Sequence, residues 1–354
     1  MNVSVIGAGP IGCIAAYNLS RHNDVSLFQE PIDRKVRCAG LISKSGTGRL
    51  GLRLRKSIIK NKVRGAILIS PYNERVEIDG REIKAYVIDR NEFDEFLLER
   101  AIDNGVELVE RRISKNDIKN LNSDRIIIAT GTNYNLQKKL GINSPREFLV
   151  GAQYVMKVDC DDDFVELHFN VPGFFSWIIP TDDYARVGLC SKRNPTPYLE
   201  KFVRELKRNG RIKSDRIIDR NFGIIPIYNP KIRTDYGKIL LVGDSAGHVK
   251  ASTGGGIITG GIAANFVGDI EYEYKWRKEI GRELFLHLLI HRFLSRLSAK
   301  NISRLLTLLG EYKHILEKNG DMDIASRNMT ALFKNPKFMV KFILNLPFYA
   351  LDLL

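Results

Sequence analysis

Residues 7–12 read Gly7-Ala8-Gly9-Pro10-Ile11-Gly12, a G-x-G-x-x-G run whose chemistry is that of a phosphate cradle. Gly7 permits a tight turn, Gly9 lets the backbone approach a pyrophosphate, and Gly12 lets a helix lie close on a strand. Unpaired N–H groups and the positive end of a helix would face the anion. Glu30, eighteen positions after Gly12, is placed to accept hydrogen bonds from ribose hydroxyls. The glycines mean this only in the right context, and the context is present. An apolar run at 3–6 precedes them, a helical pattern at 11–22 follows, and a second strand pattern at 25–28 completes a βαβ unit. The other reading of the glycines alone is a structural turn.

A second glycine region separates the flavin from the nicotinamide option. Residues 238–242 form a buried strand pattern leading into Gly243-Asp244, and Gly254-Gly255-Gly256 follow. Asp244 at a strand end could hold the ribityl chain of a flavin. A helix starting near Gly255 would point its positive end at the flavin pyrimidine ring, which favours the anionic reduced form. FAD is therefore the expected cofactor. The competing role for Asp244 is a helix N-cap.

These positions need elements to hold them. The pattern predicts a basic, Gly-rich loop at 34–48, short strands and turns at 65–88, a helix at 91–104 and a buried strand at 124–129. Alternating runs within 148–190 predict an antiparallel sheet, 198–207 a helix, and 279 onward a basic helical region. The fold class is α/β: a Rossmann-type FAD-binding domain with an inserted antiparallel-sheet substrate domain and C-terminal helices. The expected division is 1–62, 85–145 and 235–275 for the FAD domain, 63–84 and 146–234 for the sheet-rich substrate domain, and 276–354 for the helical region.

The chain has 354 residues, 44% hydrophobic and 27% charged, which excludes a disordered or multi-span membrane chain. Cys13, Cys38, Cys160 and Cys190 are scattered with no CxxC, so neither a metal site nor a disulfide framework is expected. The net charge is +14. It suits an anionic membrane face or phosphorylated small molecules, or simply a basic proteome; nucleic acid lacks any supporting motif. The opening MNVSVIGAG has no basic n-region or cleavage site, so a cytoplasmic protein is expected.

Four stretches carry a resemblance: GAGPIG at 7–12, RCAGLIS at 37–43, PGFFSWIIP at 172–180 and GDSAGHVKASTGGGI at 243–257. The segment 86–94, with Arg90, resembles a strand-to-helix turn of the same group. Together they resemble the FAD-dependent geranylgeranyl reductases, within the larger p-hydroxybenzoate hydroxylase-like superfamily. The resemblance covers residues 1 to about 265. Archaeal members of that family, the digeranylgeranylglycerophospholipid reductases, saturate isoprenoid chains of ether lipids; plant and bacterial members act on the geranylgeranyl chain used for chlorophyll. The resemblance implies FAD contacts at Ile11, Glu30, Cys38, Ala39, Arg90, Ala129, Asp244, Gly256 and Ile257. Gly7, Gly9, Gly12, Gly40, Leu41, Gly131 and Gly255 complete the expected cofactor wall. Arg90 makes independent sense as a guanidinium near a pyrophosphate, or else is a surface charge.

The family's Y-x-W-x-F-P pattern appears as Phe175-Ser176-Trp177-Ile178-Ile179-Pro180, with Phe for Tyr and Ile for Phe. The changes make the pocket more apolar and bring it nearer the W-x-W-x-I-P of flavin-dependent halogenases. Ala251 stands where many relatives have Pro. Phe174, Phe175, Trp177 and Pro180 are the expected substrate wall; plain core is the alternative. An isolated alkene has no carbonyl to polarise, so the useful groups are a hydride donor and aromatic faces that stabilise developing positive charge. Trp177 and Cys38 are the candidate catalytic positions, Cys38 as packing, redox thiol or proton donor.

The expected reaction is hydride transfer from reduced flavin to a C=C bond plus protonation. A flavin monooxygenase or halogenase, and a non-catalytic prenyl-lipid-binding flavoprotein, are the competing classes. The expected substrate is an isoprenoid lipid. With no second G-x-G-x-x-G, ferredoxin and transiently bound NAD(P)H both stay open as electron donors. Residues 333–349 mix bulky apolar residues with lysines, as in a helix lying on the cytoplasmic membrane face, or one docked on the body.

Overall fold

The computed structural model describes residues 1–31 and 36–353. Residues 3–6 and 126–128 are mostly apolar and buried on both faces, with only Ser4 polar among them. Such strands belong inside a parallel sheet covered by helices. They form the centre of a six-stranded sheet. Its spatial order is Asp235–Tyr236, Ile239–Leu241, Arg125–Ile128, Asn2–Ile6, Asp24–Gln29, Glu107–Glu110. All neighbours are parallel except the short Asp235–Tyr236 edge. Helices Pro10–Leu19, Arg90–Asp103 and Ile257–Ala264 pack together on this sheet. Asp89 caps the second of these, accepting from the Asn91 and Glu92 amides.

A seven-stranded sheet forms the other layer, in the order Ile217–Pro226, Phe148–Met156, Ala185–Ser191, Phe174–Pro180, Phe164–Val171, Gly65–Ile69, Arg75–Asp79. The expected antiparallel pairing holds except at one place, where Phe164–Val171 runs parallel to Gly65–Ile69. Residues 63–69 enter from a distant part of the chain, so no hairpin dictates their direction. A small third sheet, Leu41–Ser43, Ala85–Ile88 and Ile59–Val63, joins the two layers.

The predicted loop at 34–48 is partly regular. Leu41–Ser43 pairs with Ala85–Ile88, and Ser43 caps the helix Lys44–Arg49 by accepting from the Gly46 amide. Two local signals, a β-type Leu-Ile-Ser and a Ser N-cap, outweigh the glycines. Residues 34 and 35 of that prediction lie outside the described residues. From Tyr272 the chain is helical to Leu353, the last described residue, and no described helix is long and apolar enough to cross a membrane.

Candidate functional site

Three loops leave the carboxyl ends of parallel strands side by side: Gly7–Pro10, Ala129–Gly131 and Gly243–Asp244. In open α/β sheets this is where ligands bind. The loops form one end of a cavity of about 1620 Å³ that extends across to the face of the seven-stranded sheet.

The turn is built without spare room. Gly7 has φ +108°, and a Cβ there would stand 2.4 Å from the Ala129 carbonyl oxygen. A Cβ on Gly12 would stand 1.7 Å from the Gly7 carbonyl oxygen, so Gly12 seats the helix against the turn and does not reach the cavity wall. A Cβ on Gly9 meets nothing within 4 Å, because that side of the backbone faces open space. Pro10 begins the helix, whose amino end opens on the cavity with Ala8, Gly9 and Ile11 in its wall.

Opposite lies the second glycine turn. Gly254, Gly255, Gly256 and Ile257 line the cavity, and Gly256 is the N-cap of helix Ile257–Ala264, as the sequence predicts to within two residues. Asp244 faces the same space, half-buried. Loss of hydration pushes its carboxyl up to about 6, against the pull of Arg90. Its place in a single helical turn, Gly243–Ala246, leaves its side chain directed to the cavity.

The stem of Lys250 passes beneath Gly255, 3.1 Å from where a Cβ would be, and its ammonium pairs with Asp323 in the protein interior. Ser43 donates to the other oxygen of the same carboxylate. His248, five residues after Gly243, is fully buried. It accepts from the Gly243 amide at 3.3 Å and packs on Trp276, and burial pushes it down to about 3. It is a neutral prop under the turn.

Cys38, Ala39, Gly40 and Leu41 form the side wall. Arg186 reaches under them and donates to the carbonyls of Ala39 (2.7 Å) and Ile88 (3.0 Å). Cys38 Sγ accepts from the Gly40 amide at 3.2 Å. Arg90 is held bidentately by Asp94 at 2.9 and 3.0 Å. Burial opposes its charge, yet Cys38 and Asp94 beside it keep its pKa above the ordinary value. Glu30 and Arg112 meet at 3.3 Å at the outer end of the nucleotide loops, and both line the cavity.

The far wall is apolar. Phe175, Trp177 and Ile179 alternate into the cavity from one strand, with Val165 and Leu167 beside them on the next. Trp177 lies over Gly188, where a Cβ would come within 2.6 Å of the ring. Its Nε1 donates to Gln153 Oε1 at 3.0 Å, and Gln153 Nε2 donates to the Cys38 carbonyl at 3.4 Å. Of the predicted wall, Phe174 and Pro180 fall outside. Phe174 stacks behind Phe175 at 4.2 Å, and Pro180 ends the strand against Ala185. Strand alternation is the signal that sends 175, 177 and 179 one way and their neighbours the other. Ile179, named in the pocket pattern but not in the expected wall, joins it, and Gln153, Arg186, Gly188, Lys250 and Asp323 are site residues that the sequence does not mark.

The surface fits a flavin dinucleotide. A crowded backbone turn at a helix N-terminus can take a pyrophosphate, Asp244 can take a hydroxylated chain, and the Gly254–Gly256 turn leaves its backbone bare beside the apolar wall.

No family model matches the chain. An uncharacterized protein of Methanocaldococcus jannaschii is 32% identical over 362 residues, covering 91% of this chain and 92% of that one. The digeranylgeranylglycerophospholipid reductase 2 of Methanothermobacter thermautotrophicus is 27% identical, covering 87% and 91%. A geranylgeranyl bacteriochlorophyll reductase-like protein of Thermoplasma acidophilum superposes with TM-score 0.79 over 98% of both chains at 19% identity. A flavin-dependent brominase superposes with TM-score 0.63 over 98% of both at 15% identity, which shows the shared fold. The 32% identity over nine tenths of both chains places this chain in one family with the Methanocaldococcus jannaschii protein, and its relatives along the same length include the archaeal digeranylgeranylglycerophospholipid reductases.

Proposed function

We propose that this chain is an FAD-dependent reductase that saturates C=C bonds in geranylgeranyl chains of archaeal-type ether-lipid precursors. The observation that carries this reading is the continuity of one cavity between the two glycine turns and the Phe175–Trp177 wall. In this reading the division of the chain into a nucleotide part (1–62, 85–145, 235–275), a sheet-rich part (63–84, 146–234) and a helical part (276–354) follows the use of the walls.

When bound, a reduced flavin supplies a hydride to one alkene carbon, and a proton at the other completes the reduction. The backbone turn at Gly7–Ile11 would hold the pyrophosphate, and the amino end of helix Ile257–Ala264 would favour negative charge on a reduced flavin. Arg90 and Glu30 flank the nucleotide. Phe175 and Trp177 exclude water and turn aromatic faces toward the carbon where positive charge grows. Val165, Leu167 and Ile179 accept the rest of the chain by burial of apolar surface. Cys38 lies on the side wall with its sulfur already accepting a hydrogen bond from Gly40, an arrangement that suits packing against the ring.

The test is to reduce the flavin-loaded protein anaerobically, add a geranylgeranyl ether lipid and weigh the product. A gain of two mass units per bond is expected. A protein that binds no flavin, or a reduced flavin that leaves the lipid unchanged, overturns the reading. Admitting oxygen instead addresses the halogenase-like reading that the brominase fold raises: oxygenated or halogenated product would favour it.

The lipid must reach the cavity, and the C-terminal helix Pro336–Leu353 suits a peripheral membrane contact. Phe338 and Tyr349 dock it on the body, while Val340, Ile343, Leu344 and Leu351 stand exposed beside Lys337 and Lys341. Vesicles containing anionic lipid should float with the full chain and not with one ending before Phe333.

A further inference from the structure

The cavity wall holds cations of two kinds. Arg64 faces Asp79 and Asp163, Arg90 is held by Asp94, Arg111 by Asp117 and Arg112 by Glu30. Lys44, Lys84 and Arg327 line the same cavity, and among the described residues none of the three has an ion-pair partner. They come from separate parts of the chain, and the structure draws those parts together. The Lys44 amide donates to the Lys84 carbonyl at 2.8 Å. Ser43, next to Lys44, donates to Asp323, and Arg327 lies in the first turn of helix Ala325–Phe333, four residues further on. The Lys84 stem is pressed on Gly80, where a Cβ would come within 2.3 Å of its Cε, so the turn beneath it restricts its sweep.

The acids nearby are mostly occupied. Asp321 accepts from the Asp323 and Ile324 amides at 2.8 and 3.2 Å. Glu317 accepts from the Asp79 amide at 3.5 Å and meets Lys313 at 3.5 Å. Glu82 has no hydrogen-bond or ion-pair partner among the described residues. Hydrogen bonds from amides leave Asp321 charged, so Lys44, Lys84 and Arg327 stand against Glu82 and Asp321, with Glu317 offset by Lys313, and the rim keeps a small positive balance. Lys44 and Arg327 are exposed, so this is the cavity's open side, and the apolar wall of Phe175, Trp177 and Met322 lies within.

We propose that Lys44, Lys84 and Arg327 form a subsite for the phosphate ester head of an amphiphile whose apolar chain lies along that wall. A phosphate ester offers several charged acceptor oxygens. One guanidinium and two ammoniums suit it, the first through paired donors and the others as point charges. The head would stay at the wet rim while the chain reaches inward, so the rim fixes how deep the chain enters. This assignment deepens the reductase reading and rests on it.

The experiment compares two probes of equal chain length, geranylgeranyl monophosphate and geranylgeraniol, with flavin-loaded wild type, Lys44→Glu, Lys84→Gln and Arg327→Glu. Dissociation constants come from equilibrium dialysis, with inorganic phosphate as a third probe. Each variant should weaken the monophosphate about tenfold and leave the alcohol within twofold. Raised salt should weaken only the monophosphate. Inorganic phosphate alone should bind far more weakly than the lipid phosphate. The assignment is overturned if both prenyl probes weaken together, if neither weakens, or if inorganic phosphate binds as tightly as the lipid phosphate. Wild type that takes up flavin and the alcohol but shows no preference for the phosphate would overturn this assignment alone. Wild type that takes up flavin and neither prenyl probe would overturn the lipid reading of the cavity as well.

Discussion

At the nucleotide end the cavity wall is backbone, and at the apolar end it is side chain. Gly7, Gly9 and Gly255 present peptide groups, and a Cβ at Gly7 or Gly12 would collide with a carbonyl oxygen. The opposite wall is Phe175, Trp177 and Ile179, with Trp177 positioned by Gln153 and Gly188, both distant in sequence. Backbone cannot change its chemistry, so the first end suits a constant cofactor. Side chains can be exchanged at modest cost, so the second can be fitted to the shape of a substrate. The exchange of Phe for Tyr and Ile for Phe in the pocket pattern falls on the second end.

The hardest way to break this contrast is at Gly12. Gly12→Ala puts a carbon 1.7 Å from the Gly7 carbonyl oxygen, and no flexible side chain stands there to yield. The helix must move off the turn. The expected result is loss of flavin binding by at least a hundredfold and destabilisation of about 3 kcal/mol or more, at the upper end of overpacking effects. Flavin absorbance after purification and a urea unfolding curve measure both. If Gly12→Ala binds flavin normally, the turn is not a rigid element.

That same rigidity explains what could be read from sequence. A site made of backbone demands glycine at fixed local spacing, so G-x-G-x-x-G and GDSAGHVKASTGGGI announce it, and strand patterns on either side place it. The apolar wall has no such code. Trp177 is visible as a residue, but its partner Gln153 lies 24 positions away and Gly188 on a neighbouring strand. The pairing of Lys250 with Asp323, 73 positions apart, follows from how the C-terminal helices return to the nucleotide layer. Nothing in a basic turn or in a lone aspartate reports it. The alternation of 174–180 was legible in principle. Period two separates Phe175, Trp177 and Ile179 from Phe174 and Pro180, and composition alone does not.

A middle-sized effect sits where the two ends meet. Asp244 has a carboxyl raised to about 6 in the folded chain from 3.8, with burial as the main cause. A raised acid stabilises the fold fully only below the unfolded value. That contribution fades as pH climbs from about 4 to 6 and is absent above. At pH 7.5 the ionised Asp244 therefore opposes folding of the flavin-free protein. Asp244→Asn should make the flavin-free protein more stable by about 1–2 kcal/mol at pH 7.5, with the gain shrinking to nothing by pH 4. The same substitution should weaken flavin binding. Denaturant midpoints across pH, paired with flavin titration, separate the effects. A uniform gain at every pH would remove ionisation as its cause and blur the contrast between a site built for a ligand and a wall built for packing.

The smallest expected effect probes the side-chain wall itself. Gln153 is buried and spends both ends of its amide, one on the Trp177 indole and one on the Cys38 carbonyl. Gln153→Leu leaves a buried indole N–H without an acceptor, a cost of about 1–2 kcal/mol. Trp177→Phe removes that donor, so in its presence Gln153→Leu should cost measurably less. The coupling between the two positions, read from urea midpoints of the four proteins, should be at least about 0.5 kcal/mol. Additive costs would mean that Trp177 is held by its bed on Gly188 and the strand, with Gln153 serving only the Cys38 turn. The wall would then tolerate a change at residue 153 without losing its aromatic face, and specificity at this end would reside in ring packing rather than in the hydrogen bond that crosses the sheet.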